Sequence, residues 1–260
     1  MELIDTHCHL TFEQLAGDIE NVLERSKSAG VTHWITIGTD SEHNRKALEL
    51  AQRFENMYAA IGIHPHDAKD VTGDTLTELK QLAANEKIVT LGEIGLDFHY
   101  NFSKQPDQRR AFEVQLQIAH ELNLPVIIHC RNAFDDTIDI LERFIRLNGQ
   151  LKGVVFHCFG GTAEQARIIL DYGFYISFTG VVTFKNAEIA RQAAKIVPTD
   201  RIMLETDCPY MSPEPMRKQK INEPALMIHT AQFLAELKGM EFEDFADAVT
   251  ATSKSFFGLP

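Results

Sequence analysis

Side chains of the metal-ligand type end several short apolar segments of this 260-residue chain. Residues 4–10, Ile-Asp-Thr-His-Cys-His-Leu, are typical of an extended segment, and side chains on a strand alternate between its two faces. His7 and His9 therefore point to one side, while Cys8 points to the other. Four more apolar runs end in such residues, which are Glu93, His129, His157 and Asp207. Five runs with these ends indicate one shared metal centre.

The four cysteines fit this geometry as packing residues. Each is the neighbour in sequence of a proposed ligand, so on a strand its side chain points to the opposite face. A zinc–thiolate site would need Cys and His on the same face, and we expect small apolar thiols beneath the cover of the sheet instead. Their separations also differ from Cys-x-x-Cys pairs and from secreted disulfide frameworks. The four are Cys8, Cys130, Cys158 and Cys208.

Composition is that of an ordinary globular protein, with 44% hydrophobic and 24% charged residues. The formal net charge of −12 disfavours a broad basic surface for nucleic acid. It is compatible with a nucleic-acid enzyme whose phosphate contacts are concentrated in one metal-containing cleft.

We expect a cytoplasmic protein with reduced thiols. The first apolar run begins almost at once, without a basic segment and apolar core before it, which predicts no secretory signal. No run approaches the ~20 apolar residues of a membrane span, so we expect no membrane association. Nothing in the sequence indicates an obligate protein partner.

Apolar β-type runs alternate with amphipathic segments along the whole chain, which is typical of a parallel α/β architecture. Eight runs about 30 residues apart predict a single (β/α)8 TIM-barrel domain over residues 1–260. The predicted strands are 2–9, 31–38, 57–63, 88–93, 124–129, 153–157, 173–178 and 201–206. The predicted helices are 18–29, 41–54, 108–122, 135–147, 162–172, 187–196, 225–237 and 242–257.

A doubly wound open sheet is the competing fold, because it has the same alternation of strands and helices. That fold usually has a Gly-rich phosphate turn after its first strand, where this chain has His9-Leu10-Thr11. The candidate ligands fall at many strand ends, which favours a barrel with its site at the carboxyl ends of the strands.

Six motifs occur in order along the chain, and together they carry a resemblance. They are residues 5–9, Asp-Thr-His-Cys-His; 62–66, Gly-Ile-His-Pro-His; 92–98, Gly-Glu-Ile-Gly-Leu-Asp-Phe; 129–131, His-Cys-Arg; 157–161, His-Cys-Phe-Gly-Gly; and 205–210, Glu-Thr-Asp-Cys-Pro-Tyr. With these motifs the chain resembles the TatD-type metal-dependent deoxyribonucleases, of the amidohydrolase-like barrel group, from residue 4 to about 257. The resemblance implies a barrel of the metallo-dependent hydrolase type with two divalent metal ions. It implies cleavage of phosphodiester bonds, as a 3'-5' exonuclease on single-stranded DNA or RNA.

The resemblance also implies the metal ligands. Six groups are too many for one tetrahedral zinc, but they suffice for two ions that share a carboxylate, with Glu93 as the natural bridge. Ions ~3.5–4 Å apart can lower the pKa of a bridging water, and Asp207 can take the proton from it. Histidine ligands favour Zn or Mn, whereas phosphoryl chemistry often uses Mg. The implied ligands are His7, His9, Glu93, His129, His157 and Asp207, of which Glu93 and Asp207 are also catalytic.

Other residues are expected to bind substrate. By resemblance His64 binds a substrate phosphate. Arg131 could pair with a phosphate through two N–H groups, or form a salt bridge to the helix start at residues 135–136. Glu205 shares a face with Asp207, and we expect it to bind substrate or to support a ligand histidine.

Two further features bear on the substrate. Phe98, Tyr100 and Phe102 could stack on bases of a single strand, or could pack the loop after strand 4. The family often has Arg-Asn-Glu-Pro after strand 8, where this chain has Ile221 in place of the arginine. Lys218 and Lys220 keep that loop basic, so attraction for phosphate survives, although a two-point contact is lost.

Two other functions compete with a nuclease. The same metals could serve a hydrolase of another bond, such as an amide, a lactone or a D-aminoacyl-tRNA ester. Glu93, in place of the carbamylated lysine that C–N hydrolases often use, favours phosphoesters. A barrel that has lost catalysis and only binds is the other alternative, and the complete ligand set argues against it.

Overall fold

Eight parallel strands form one sheet in a computed structural model that describes residues 2–260. Each predicted β-type run overlaps one strand, and along the sheet the strands lie in the order of the sequence. The strands are β1 (Leu3–Cys8), β2 (Val31–Ile37), β3 (Met57–Ile61), β4 (Ile88–Asp97), β5 (Val126–Arg131), β6 (Val154–Phe156), β7 (Tyr175–Phe178) and β8 (Ile202–Leu204).

Ten α-helices lie within the described residues, and eight of them coincide with the predicted helices. The sequence did not predict α1, which has only four residues, nor α4, whose one buried residue, Leu79, gives no apolar stripe. The helices are α1 (Glu13–Ala16), α2 (Ile19–Ser28), α3 (Ser41–Arg53), α4 (Gly73–Leu82), α5 (Gln105–Glu121), α6 (Phe134–Asn148), α7 (Ala163–Asp171), α8 (Glu188–Ile196), α9 (Met227–Lys238) and α10 (Phe242–Phe257).

The last strand returns to the first. Thr6 Oγ1 donates a hydrogen bond to the carbonyl of Leu204, at 2.9 Å. Just beyond the strand ends, the amide of Asp207 donates to the carbonyl of His7, at 2.9 Å, and the amide of His9 to that of Cys208, at 2.8 Å. This return distinguishes a (β/α)8 barrel from an open sheet. The predicted fold is confirmed, and the open sheet is wrong.

Contacts divide the chain into two compact units. The first contains the residues up to Thr36 together with His157–Pro260, and the second contains Ile37–Phe156. The first unit has a buried core around Trp34, whose indole N–H donates to Ser26 Oγ at 2.8 Å. In the second, β4 is buried along its whole length. One domain over residues 1–260 stays a prediction.

Strand β4 extends to Asp97, so its predicted end at residue 93 is wrong. Its register against β5 shifts after Leu91 and then pairs Gly95 with His129. Gly95 has a φ of +140°, and a Cβ there would collide with the carbonyl oxygen of His129. Because Gly95 has no Cβ, β4 can pack closely against β5 and continue past this point. The continued pairing places Asp97 opposite Arg131.

The cysteines take packing positions. None of the four, all within the described residues, takes part in a disulfide. Cys8 and Cys208 are buried, and Cys8 Sγ lies 3.3 Å from the carbonyl oxygen of Ile35 on β2. Cys158 Sγ contacts Thr179 Oγ1 at 3.5 Å. The alternation of Cys and His along β1 therefore holds.

Among the helices of residues 2–260, none combines the length and the apolar character that a membrane span requires.

Candidate metal centre

Two histidines and an aspartate meet at the carboxyl ends of β1 and β8. His7 Nε2 lies 3.3 Å from His9 Nε2, and Asp207 Oδ1 lies 3.2 Å from His9 Nε2 and 3.7 Å from His7 Nε2. The nearest point equidistant from three atoms with these separations lies about 2.0 Å from each, which is a normal zinc–ligand distance. All three residues are buried. This group therefore has the donors and the spacing of a divalent metal site.

Asp5, two residues before His7 on β1, joins this group to the residues that follow β8. Its Oδ1 accepts from the amide of Thr206 at 3.0 Å and from that of His7 at 3.3 Å, and its Oδ2 accepts from Thr206 Oγ1 at 2.6 Å. Asp207 has a φ of 52°, in the left-handed region that Asp and Asn tolerate better than other non-glycine residues. The ends of β1 and β8 are therefore fixed to each other beside the group.

Asp207 is ionised at neutral pH. Burial alone would raise the pKa of its carboxyl, but the hydrogen bond from His9 and the charge interactions with His9, His7 and His157 hold the pKa below its ordinary value. A carboxylate in this state can bind a cation, and it has a second oxygen that can accept a proton.

His157 and Glu205 form a neighbouring group that also includes His7. The imidazole of His157 stacks on that of His7 with 4.1 Å between ring centroids, and His157 Nδ1 lies 3.5 Å from Glu205 Oε1. Glu205 is buried and accepts from the amide of Cys158 and from Ser177 Oγ, both at 2.6 Å. These contacts agree with a carboxylate that supports a ligand histidine, and its binding of substrate stays a prediction.

A separate group in the second unit contains His64, Glu93 and His129. Glu93 Oε1 lies 2.5 Å from His129 Nδ1 and 3.4 Å from His64 Nε2. Burial lowers the pKa of His64 to about 4 although the Glu93 carboxylate acts to raise it, so His64 is neutral at neutral pH. His64, predicted only to bind phosphate, is thus also placed as a metal ligand would be.

Asp97 joins this second group to His66. Its Oδ2 lies 3.2 Å from His129 Nε2 and 3.0 Å from His66 Nε2. Burial would raise the pKa of Asp97, but hydrogen bonds from His129, the amide of Tyr100 and His66 hold it well below its usual value. If His129 Nε2 carries the proton and donates it to Asp97, the lone pair of His129 Nδ1 faces the Glu93 carboxylate. A cation bound between these two atoms would be attracted to both of them.

From the sequence, Asp97 could support a ligand histidine or could brace the loop after strand 4, and its contacts with His129 and His66 agree with the first role. The only signal was the run Gly-Glu-Ile-Gly-Leu-Asp, in which Asp97 shares a strand face with Glu93 if the strand continues past Gly95. A ligand role for His66 was left open by the sequence, and the structure places it in a 3₁₀ turn, Pro65–Asp70.

Arg131 is exposed at the end of β5, with its guanidinium 4.7 Å from the ring centroid of Tyr100. Asp136, a residue expected as a salt-bridge partner, instead accepts from Arg109 at 2.5 Å. Arg131 therefore remains available to a ligand, and its contact with phosphate stays a prediction.

The loop after β8 is anchored through Asn222. Its side-chain amide donates to the carbonyls of Thr206, at 3.0 Å, and Tyr210, at 2.6 Å. Glu223 forms an ion pair with Arg25 at 2.7 Å. Ile221 is 43% exposed, and the basic residues Lys218 and Lys220 are exposed as well.

Known proteins match this chain over nearly its whole length. A family model described as TatD related DNase matches residues 4–258. The uncharacterized metal-dependent hydrolase YabD of Bacillus subtilis is 42% identical over 257 residues, which cover 99% of each chain. The 3'-5' ssDNA/RNA exonuclease TatD of Citrobacter rodentium is 35% identical over 261 residues, which cover 99% of this chain and 98% of that protein.

A solved structure agrees with these matches. The crystal structure of YJJV, a TatD homologue from Escherichia coli k12, has a TM-score of 0.92 at 31% sequence identity, and the match covers 99% of this chain and 98% of that one. The sequence matches and the structural match thus indicate the same family, and both extend over nearly the whole chain. The chain belongs to the TatD related DNase family of metal-dependent hydrolases.

Proposed function

We propose that this protein is a metal-dependent nuclease that removes nucleotides from single-stranded DNA or RNA in the 3'-5' direction. The observation that carries the proposal is the presence of groups of buried or half-buried histidine and carboxylate side chains, each with the spacing of a divalent metal site. The name of the Citrobacter rodentium relative supports the substrate and the direction, whereas that of the Bacillus subtilis relative gives only a metal-dependent hydrolase.

Two divalent ions are proposed as cofactors, and Mg, Mn and Zn are the candidates. His7, His9 and Asp207 would hold one ion, and Glu93 and His129 the other, with His157 as a further ligand. Bound ions of this kind polarise a phosphoryl oxygen and lower the pKa of a bound water.

The chain itself supplies a base and a support for the phosphate. Asp207 would accept the proton of the attacking water, because its carboxylate is ionised and already hydrogen-bonded on one oxygen. The water oxygen forms the new bond to phosphorus as the bond to the leaving sugar oxygen breaks, and that oxygen takes up a proton to leave as a hydroxyl group. His64, held neutral by burial, would bind the phosphate, and exposed Arg131 would contact a neighbouring one.

An assay of the purified protein with added metal tests this proposal. We expect it to shorten single-stranded DNA labelled at the 5' end into a ladder, and to do so only when Mg, Mn or Zn is present. The same preparation should be tested on RNA, on amides and lactones and on an aminoacyl-tRNA ester. Hydrolysis of one of those other bonds without cleavage of any nucleic acid would contradict the proposal and favour the alternative hydrolase.

We expect Asp97→Asn to weaken metal binding or turnover by ~10–100-fold, the usual cost of losing a partner of a ligand histidine. The amide of asparagine cannot accept from His129 and His66 as a carboxylate does, so the orientation of His129 is lost. Metal affinity can be measured by calorimetry alongside the rate, and Asp139→Asn, an exposed change on α6, is the matched control. Wild-type metal affinity and turnover in Asp97→Asn would reject this positioning role.

A further inference from the structure

Two aromatic rings stand exposed in the loop after β4. The side chains of Tyr100 and Phe102 are 48% and 61% exposed, and their rings lie nearly parallel, at 7°, with centroids 5.3 Å apart. Phe98 differs, because it is less exposed and lies under the guanidinium of Arg109, at 4.8 Å. Tyr100 and Phe102 therefore do not fill the interior of the loop, and we call this pair the aromatic platform.

The loop that carries the platform is fixed at both ends. At its start, Asp97 Oδ1 accepts from the amides of His99 and Tyr100, both at 2.9 Å. At its end, Ser103 Oγ donates to the carbonyl of His66, at 2.7 Å, and accepts from the amide of Lys69, at 3.0 Å. The rings are thus held out from an ordered backbone, which reduces the entropy lost when a ligand stacks on them.

The platform adjoins the second metal-ligand group. The His66 ring contacts Phe102 edge-to-face with 4.8 Å between centroids, and Tyr100 with 5.6 Å. The same His66 shares the Asp97 carboxylate with His129. A single imidazole therefore links the platform to the side chains proposed to bind metal.

A cation lies on the platform. The Arg131 guanidinium is 4.7 Å from the Tyr100 centroid, and Arg131 follows His129 by two residues on β5. Exposed aromatic rings beside an arginine suit a ligand that has both a flat π-system and a negative charge. In a chain with a net charge of −12, this local positive charge favours an anionic ligand that other surfaces repel.

We propose that Tyr100 and Phe102 form a stacking subsite for a nucleobase of the single-stranded substrate, with Arg131 in contact with the phosphate next to that base. The inference rests on the proposed function, which it extends from the reacting phosphate to the bases. Stacking tolerates any sequence because every base has a π-face. The subsite therefore favours unpaired strands over duplexes, in which the bases are stacked on each other.

The test compares kcat/KM for a short oligothymidylate among Phe102 variants. We expect Phe102→Leu to raise KM by at least about fivefold with little change in kcat, the lower end of the effect of losing one aromatic–base stack. Phe102→Tyr should restore the wild-type KM, because it keeps an aromatic ring. Leu147→Ala is the matched control, since Leu147 is an exposed apolar residue of α6, at 72%, away from this loop.

A second substrate separates base stacking from a general effect on the loop. In this oligonucleotide the nucleotides at the 3' end are replaced by abasic analogues, so nothing is present to stack. On this abasic substrate, wild type and Phe102→Leu should have the same KM, equal to the higher KM that Phe102→Leu has for oligothymidylate. If the wild type cleaves oligothymidylate and Phe102→Leu matches it, or if the two still differ on the abasic substrate, the stacking subsite is wrong. If the wild type cleaves no nucleic acid, the proposed function itself has failed.

Discussion

Asp207→Asn is expected to lower the turnover of single-stranded DNA by at least ~100-fold, the usual size of a general-base contribution. An amide of the same shape cannot take a proton from water, and it binds a cation weakly. The fold should survive, because asparagine tolerates the φ of 52° at this position, whereas alanine would add backbone strain. Single-turnover rates with saturating metal, together with thermal unfolding of the same sample, provide the measurement.

Arg131→Ala is the contrasting variant for this experiment. Arg131 is exposed and is proposed to contact phosphate rather than water, so its loss should mainly raise KM and leave kcat close to wild type. Cleavage of single-stranded DNA by metal-loaded Asp207→Asn at a rate near that of the wild type would make the assigned mechanism wrong.

Removal of metal is expected to abolish hydrolysis, and addition of Mg, Mn or Zn to restore it. Protein saturated with metal should contain two ions per chain, because two separate His–carboxylate groups have suitable donors and spacing. Glu93→Gln should leave at most one ion, since the amide cannot serve as the anionic partner that lies 2.5 Å from His129 Nδ1. Elemental analysis after gel filtration gives the stoichiometry.

Glu142→Gln, the same change at an exposed position of α6, is the control for Glu93→Gln and should keep both ions. At most one ion in the saturated wild type would contradict two-ion binding. Two ions in Glu93→Gln would show that Glu93 is not needed to hold either one.

The barrel and the first group of ligands could be predicted because both depend on strong periodic signals. Eight apolar runs predict the eight strands, and the alternation along β1 places His7 and His9 on one face. Asp207 required only that β8 return to β1, as it does in a barrel.

The second group was harder to predict, because its geometry depends on details that leave a weak trace in sequence. Glycines at 92 and 95 interrupt the apolar run of β4, so the strand seemed to end before Asp97. The close approach of β4 to β5 comes from the missing Cβ of Gly95, which a pattern of hydrophobicity does not register. The sequence does not show which nearby side chain Arg131 contacts, and the expected partners did not include the ring of Tyr100.

The anchoring of the loop after β4 at Asp97 and Ser103 has an evolutionary consequence. Both anchors act through buried side-chain groups, whereas the outward rings of Tyr100 and Phe102 contribute little to the core. With the proposed stacking subsite, mutations at these two exposed positions would change which polymers bind without disturbing the proposed ligands behind them. Such a loop is a place where new substrate ranges can arise at a small cost in stability.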